Sequence, residues 1–311
     1  MKVLAIILGS VFFVSLIGFI VTAAITGVST EKGFGIGYYI GKGEPLNISE
    51  TFEEEYEKIE IGVIASRVDV KISSDGKTRV NYRNNNPNVE FGWEIRDDTL
   101  VVREKWRGSF GFFSWGWDNN RQSSLDIEIP GGVYDAISID TVSGSINARL
   151  PQTANLNANT VSGHVTLNSA GANSEVGKMN SLISSSTSGH ITLNGFSPER
   201  FDISAVSGNV TATELSGSGK VSLTSGRANL DFSEWNGSLD VNLISGSAYI
   251  NVPAGSGADL SFSRASGSLR YSMDGDEGKI TTRSGTASVG GNNRQQVNVN
   301  LVSGKVEIST N

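Results

Sequence analysis

TVSGSINA, residues 141–148, returns as TVSGHVTL (160–167), STSGHITL (186–193), AVSGNVTA (205–212), LTSGRANL (223–230), LISGSAYI (243–250), RASGSLRY (264–271), TRSGTASV (282–289) and LVSGKVEI (301–308). The glycines of these segments are Gly144, Gly163, Gly189, Gly208, Gly226, Gly246, Gly267, Gly285 and Gly304, with intervals of 19, 26, 19, 18, 20, 21, 18 and 19 residues. This is an internal repeat of about 19 residues with one insertion. Two and four residues after each glycine the side chain is apolar, from Ile146 and Ala148 to Val306 and Ile308, and the position between them is polar except at Tyr249. Such alternation reads as strand, corner, strand. A unit this short cannot bury its own apolar face, so it stacks on its neighbours with equivalent strands about 4.8 Å apart. The predicted fold is all-β, a parallel β-solenoid of about 19-residue rungs, with glycine at each corner because the chain turns sharply there and successive rungs crowd. A sandwich of antiparallel hairpins also alternates. It does not explain one phase held through nine consecutive units.

The rest of the composition narrows the class. The 311 residues include 37 glycines, 6 prolines and no cysteine, with a formal charge of -7. No disulfide framework, thiolate metal site or cysteine nucleophile is available, and no basic stripe offers a nucleic-acid surface. Residues 3–28 run without a charge behind Lys2. As a helix rising about 1.5 Å per residue, this run outreaches a hydrocarbon core of roughly 30 Å. Residues 1–30 are therefore read as a single N-terminal transmembrane helix, with Val21-Thr22-Ala23 offering the cleaved-signal alternative. The lone cationic flank at Lys2 puts the bulk of the chain on the extracytoplasmic side of the cell membrane. A Gly-rich linker follows at 31–48. Residues 49–130, with turns at Asp75-Gly76 and Asp97-Asp98, read as N-terminal β rungs and a cap carrying an aromatic insertion at 104–124. The regular solenoid occupies 131–311.

Few side chains invite chemistry. The two histidines, His164 and His190, follow Ser-Gly in consecutive repeats, so stacking brings their imidazoles one strand spacing apart as weak metal candidates or a pH-sensitive pair. The plainer reading is an outward polar column, filled elsewhere by Ser145, Asn209, Arg227 and Lys305. Trp106, Phe110, Phe112, Phe113, Trp115 and Trp117 crowd into twelve residues. Exposed, they form a binding platform; folded down, they form a lid over the first hydrophobic rung, which is the favoured reading because an open β end invites aggregation. Acidic residues fall in the connections rather than in aligned pairs, and no catalytic triad, zinc motif, phosphate loop or calcium-roll repeat is present. No enzyme and no cofactor is expected.

The short cytoplasmic start and apolar anchor, then EKIEIGVIASRVDVKISSDGKTRVNYR, DDTLVVREK and LDIEIPGGVYDAISIDTVSGSINA, followed by serial Ser-Gly rungs, resemble the bacterial membrane-anchored putative-adhesin domain family of unknown function, which includes LiaG-like proteins. The resemblance covers most of residues 50–311. It implies a β-solenoid outside the membrane, with roles in adhesion or envelope stress and no catalytic residues. The aromatic insertion departs from it. The expected function is thus a membrane-tethered, non-enzymatic envelope-binding or structural protein, its partners being the membrane, a cell-wall polymer or a membrane protein. The alternatives are a glycan-active enzyme on a β-helix scaffold and an accessory subunit of a membrane signalling system.

Overall fold

The structure is a computed structural model that describes residues 39–40, 45–86, 88–106, 123–170 and 179–311. The transmembrane anchor and all but Trp106 of the aromatic insertion's six named side chains lie outside these residues, and of Trp106 only the backbone is described. No helix among the described residues is long and apolar enough to cross a membrane.

The N-terminal strands are β1 (Tyr39–Ile40), β2 (Leu46–Phe52), β3 (Lys58–Val63), β4 (Arg67–Ile72), β5 (Thr78–Asn84), β6 (Val89–Arg96), β7 (Thr99–Trp106) and β8 (Ser123–Ile129). There follow β9 (Val133–Thr141), β10 (Ile146–Leu150), β11 (Gln152–Ser162), β12 (Val165–Ser169), β13 (Met179–Ser188), β14 (Ile191–Asn194) and β15 (Pro198–Leu215). The last are β16 (Ser218–Phe232), β17 (Leu239–Val252), β18 (Ser256–Arg264), β19 (Ser268–Met273), β20 (Asp276–Ile280), β21 (Ser284–Gly290) and β22 (Asn293–Thr310).

Each rung contributes a strand before its corner and one after it. The first kind stacks in parallel as β9, β11, β13 and β15, with Ala158 beside Ile139 and Ser184. The second stacks as β10, β12, β14 and the later half of β15, with Val165 between Ile146 and Ile191. In β15, β16, β17 and β22 the strand runs through the corner without interruption. Ile139, Ile203, Val221 and Val241 from one face and Ile146, Val165, Ile191 and Val210 from the other are at most 1% exposed and belong to one apolar core.

The corners set the spacing. A Cβ added to Gly163, Gly189, Gly208, Gly226 or Gly246 would come closer than 3.0 Å to the carbonyl oxygen of the corner glycine one rung earlier. Only the absent side chain lets the rungs close to strand distance.

This ladder also corrects the expected order. Gly304 packs on Gly246, and Gly267 packs on Gly304, so β22 lies between β17 and β18–β19. Gly285 is not a rung corner: β21 runs antiparallel to β18, and a Cβ on Gly285 would meet only the Phe262 ring, at 3.3 Å. Reversal of this segment leaves Ala287 half-buried, while Tyr271, also half-buried, lies over Gly278 in the antiparallel β20. The nine Ser-Gly units are therefore not nine rungs stacked in sequence order. A period reports the phase of each unit against the core, and an antiparallel strand keeps that phase.

The N-terminal end is built the same way. β3 and β4 pair with β9 and β10 on one side and with β7 and β8 on the other. β6 and β5 then close over β7 and β8 in antiparallel fashion, and β1 and β2 follow. Among the described residues the aromatics of this end are stacked pairs, Tyr82 on Phe91 at 3.8 Å and Phe52 on Trp93 at 4.2 Å. β7 and β8, between which the sequence carries residues 107–122, stack on β3 and β4 as one rung. The register offset is 41 residues before the corner (Lys58 with Thr99) and 57 after it (Arg67 with Ser124).

Between later rungs, Ser143 and Ser162 donate their N–H groups to the carbonyls of Ile64 and Val142. At the β3–β4 corner the buried Glu104 side chain replaces that acceptor. Its Oε2 accepts from the N–H groups of Ile64 and Ala65, at 2.7 and 3.2 Å, and its Oε1 accepts from the hydroxyls of Tyr82, at 2.8 Å, and Ser66. Burial, and after it the nearby Glu104 carboxylate, pushes the Tyr82 phenol well above its ordinary range and keeps it a donor.

Two stability measurements test these corners. Gly189 has no left-handed φ, so Gly189→Ala isolates the clash; urea unfolding is expected to show a loss of at least about 3 kcal/mol, against less than about 0.5 kcal/mol for Gly132→Ala, where nothing lies within 4 Å. Glu104→Leu strands several buried donors and is expected to cost about 3–5 kcal/mol, with Glu104→Gln recovering part of the loss.

Candidate functional site

Alternation sends every second side chain outward, so parallel stacking turns sequence columns into surface rows. Behind the corners of the later rungs, one row reads Asn229, Tyr249, Glu307, Arg270 and Lys279 across β16, β17, β22, β19 and β20. Tyr249 lies between two cations, with the Arg227 guanidinium carbon 5.7 Å and the Lys305 nitrogen 5.1 Å from its ring centroid. Lys305 also pairs with Glu307 at 2.6 Å. A groove of about 590 Å³ opens here, lined among others by Tyr249, Asn251, Arg270, Lys279, Glu277 and Glu307. Arg227 and Lys305 flank the Tyr249 ring, and Arg270 and Lys279 line the groove together with Glu277, Glu307 and a second aromatic, Tyr271. Aromatic face, guanidinium and amide together suit a hydroxyl-rich ligand that carries negative charge.

Glu277 and Glu307 stand on strands separated by β19, two spacings or roughly 10 Å apart along the stack, and Lys305 neutralises one of them. Two other carboxyls, Asp140 and Asp202, are pushed up from the usual carboxylate range, in both cases mainly by burial. They lie on the opposite face, three rungs apart by way of Asn159, Ser185 and Ser204. That separation of roughly 14 Å exceeds what either glycosidase geometry uses. Asp140 instead belongs to a ladder, accepting from Asn159 Nδ2 at 2.9 Å and from the Ser138 hydroxyl at 3.1 Å.

His164 and His190 do come together. Their rings stack with centroids 4.9 Å apart and planes 1° from parallel. Each Nδ1 accepts a backbone N–H from the next rung: His190 N–H donates to His164 at 3.2 Å, and Asn209 N–H donates to His190 at 3.1 Å. In the neutral tautomer this leaves Nε2–H pointing outward. Lone pairs lying in parallel planes do not converge on one ion, and the described residues contain no group of three or more His, Asp or Glu side chains suited to a metal. The arrangement is a hydrogen-bonded surface ladder, continued nearby by Asn168, Asn194 and Thr213. The groove went unforeseen in the sequence because its members come from segments up to 58 residues apart that only the β17–β22 pairing joins. Tyr249, as the one aromatic in an otherwise polar column, was its available signal.

Glycine-cornered parallel rungs, closed at both ends by antiparallel strands, place the protein among the all-β solenoid-like folds. The chain belongs to the Toastrack DUF4097 family, whose model matches residues 56–309. A search of the curated proteins finds no match. Among solved structures, the chain is similar to a putative adhesin from Bacteroides fragilis NCTC 9343, at 13% identity over 84% of this chain and 97% of that one, with a TM-score of 0.46. It is similar at 12% identity to a putative adhesin from Parabacteroides distasonis ATCC 8503, over 86% and 98% of the two chains, with a TM-score of 0.46. A putative lipid binding protein from the same organism matches at 13% identity over 87% and 98%, with a TM-score of 0.42.

Calorimetric titration with zinc or copper tests the histidine pair. No stoichiometric heat is expected, and His164→Ala is expected to leave the trace unchanged. Uptake of one ion that His164→Ala abolishes contradicts the ladder reading.

Proposed function

We propose that the protein is a non-catalytic, adhesin-like binding scaffold, held on the outer side of the cell membrane by residues 1–30 and carrying its groove toward the envelope. The observation that carries this reading is the groove itself: Tyr249 flanked by Arg227 and Lys305, with Arg270 and Lys279 alongside. A rigid β stack holds these side chains in place at little entropic cost on binding. The ligand class that fits is an anionic cell-wall glycan or glycan-like polymer, whose repeating charges meet the cations while a ring packs on Tyr249. Repetition along the polymer also allows several tethered copies to bind one strand, so modest single-site affinity becomes firm attachment.

Co-sedimentation of the detergent-solubilised full chain with isolated cell wall tests the proposal. The wild-type chain is expected in the pellet, with retention falling about tenfold for Tyr249→Ala combined with Arg270→Ala, roughly the loss of 1.4 kcal/mol. Retention is expected to weaken as salt rises, because the contacts are largely ionic. Equal retention of both forms, or absence of the wild type from the pellet, contradicts the assignment of the groove.

A further inference from the structure

We propose that the last layer of the stack joins a second copy of this chain, edge to edge and antiparallel, about a twofold axis. Among the described residues β20 pairs only with β19 and β21 only with β18. Each therefore turns a row of backbone N–H and C=O groups outward, which natural proteins ordinarily guard. β20 carries Asp276, Glu277 and Lys279 on its edge. β21, SGTASVG, has no charged side chain, so its approach to a second β21 sets no like charges opposite each other.

β20, DEGKI, commits the occupant. Its charges are self-complementary about Gly278. Antiparallel pairing centred there sets Glu277 of each copy opposite Lys279 of the other, and Asp276 opposite Ile280. Glu277 and Lys279 are both exposed and two residues apart, so they project from the same face. Every contact occurs twice, as an isologous interface requires. The interface completes the missing ladder of hydrogen bonds. It goes beyond the proposed binding role and shares Glu277 and Lys279 with the rim of the groove.

The chain contains no cysteine, so single cysteines report the register directly. Full-length Glu277→Cys and Lys279→Cys chains are purified in detergent, checked for native circular dichroism, and oxidised mildly, alone and mixed. In the proposed register residue 277 faces residue 279 of the other copy, within the roughly 4.4–6.8 Å Cα range of a disulfide, whereas like residues sit about 7–8 Å apart on the diagonal. The mixture is expected to yield at least about fivefold more linked dimer than either variant alone. Equal linking in all samples, none in any, or a ladder of higher species overturns the proposal. Sedimentation gives a second reading. Glu277→Lys sets lysines opposite each other twice and is expected to weaken the dimer about tenfold or more, with Glu277→Lys/Lys279→Glu restoring it. A dimer indifferent to the single reversal also overturns it.

Discussion

The contact of one corner glycine with the carbonyl oxygen of the glycine a rung away is the constraint on which this protein depends. At Gly163, Gly189, Gly208 and Gly226 the space that a methyl group needs is already filled by backbone. Closing that space brings rungs to strand distance, and strand distance aligns Ile146, Val165, Ile191 and Val210 into one buried column. The outward positions inherit the same alignment. Surface rows such as Asn168, Asn194 and Thr213, joined through 2.8 Å hydrogen bonds, are therefore by-products of a steric rule acting on the other side of the backbone.

Both ends of the stack meet the problem that a parallel ladder has no natural stop. At one end β22 enters between β17 and β18–β19, and at the other the β7–β8 rung enters between β3–β4 and the strands β5 and β6. In each case an antiparallel layer lies outermost of the inserted rung. Glu104 belongs to the same solution. At the β3–β4 corner one carboxylate supplies acceptors to two backbone N–H groups and three hydroxyls. A buried charge is costly. Here five donors share the cost.

The repeat was legible because nine Ser-Gly units each place two apolar residues at fixed steps from a glycine, a pattern that survives changes of residue as different as Ala228 and Leu269. Spatial order was not legible. Gly285 satisfies the same local pattern as Gly304, yet one lies in an antiparallel strand and the other in the glycine ladder. Local sequence encodes which side chains face the core, and the choice of neighbour is made by long-range fit of whole rungs. The histidine pair was foreseeable, since His164 and His190 occupy one column in consecutive repeats, and the 1° ring angle follows from that. The groove was not, because Tyr249 and Glu307 become neighbours only through an inserted strand.

That insertion has a consequence for timing. A chain emerging from the ribosome or an export channel can add rungs one after another as far as β17, but β18 and β19 then have no parallel rung to dock on until β22 arrives. The Tyr249 row is split until that moment, with Arg270 and Lys279 on one fragment and the aromatic ring on the other. Pairing over such sequence distances is slow compared with adding a neighbouring rung. The groove is thus assembled late, when the strand drawn from farthest along the chain locks into the middle of the sheet, and a chain still in transit has no finished groove.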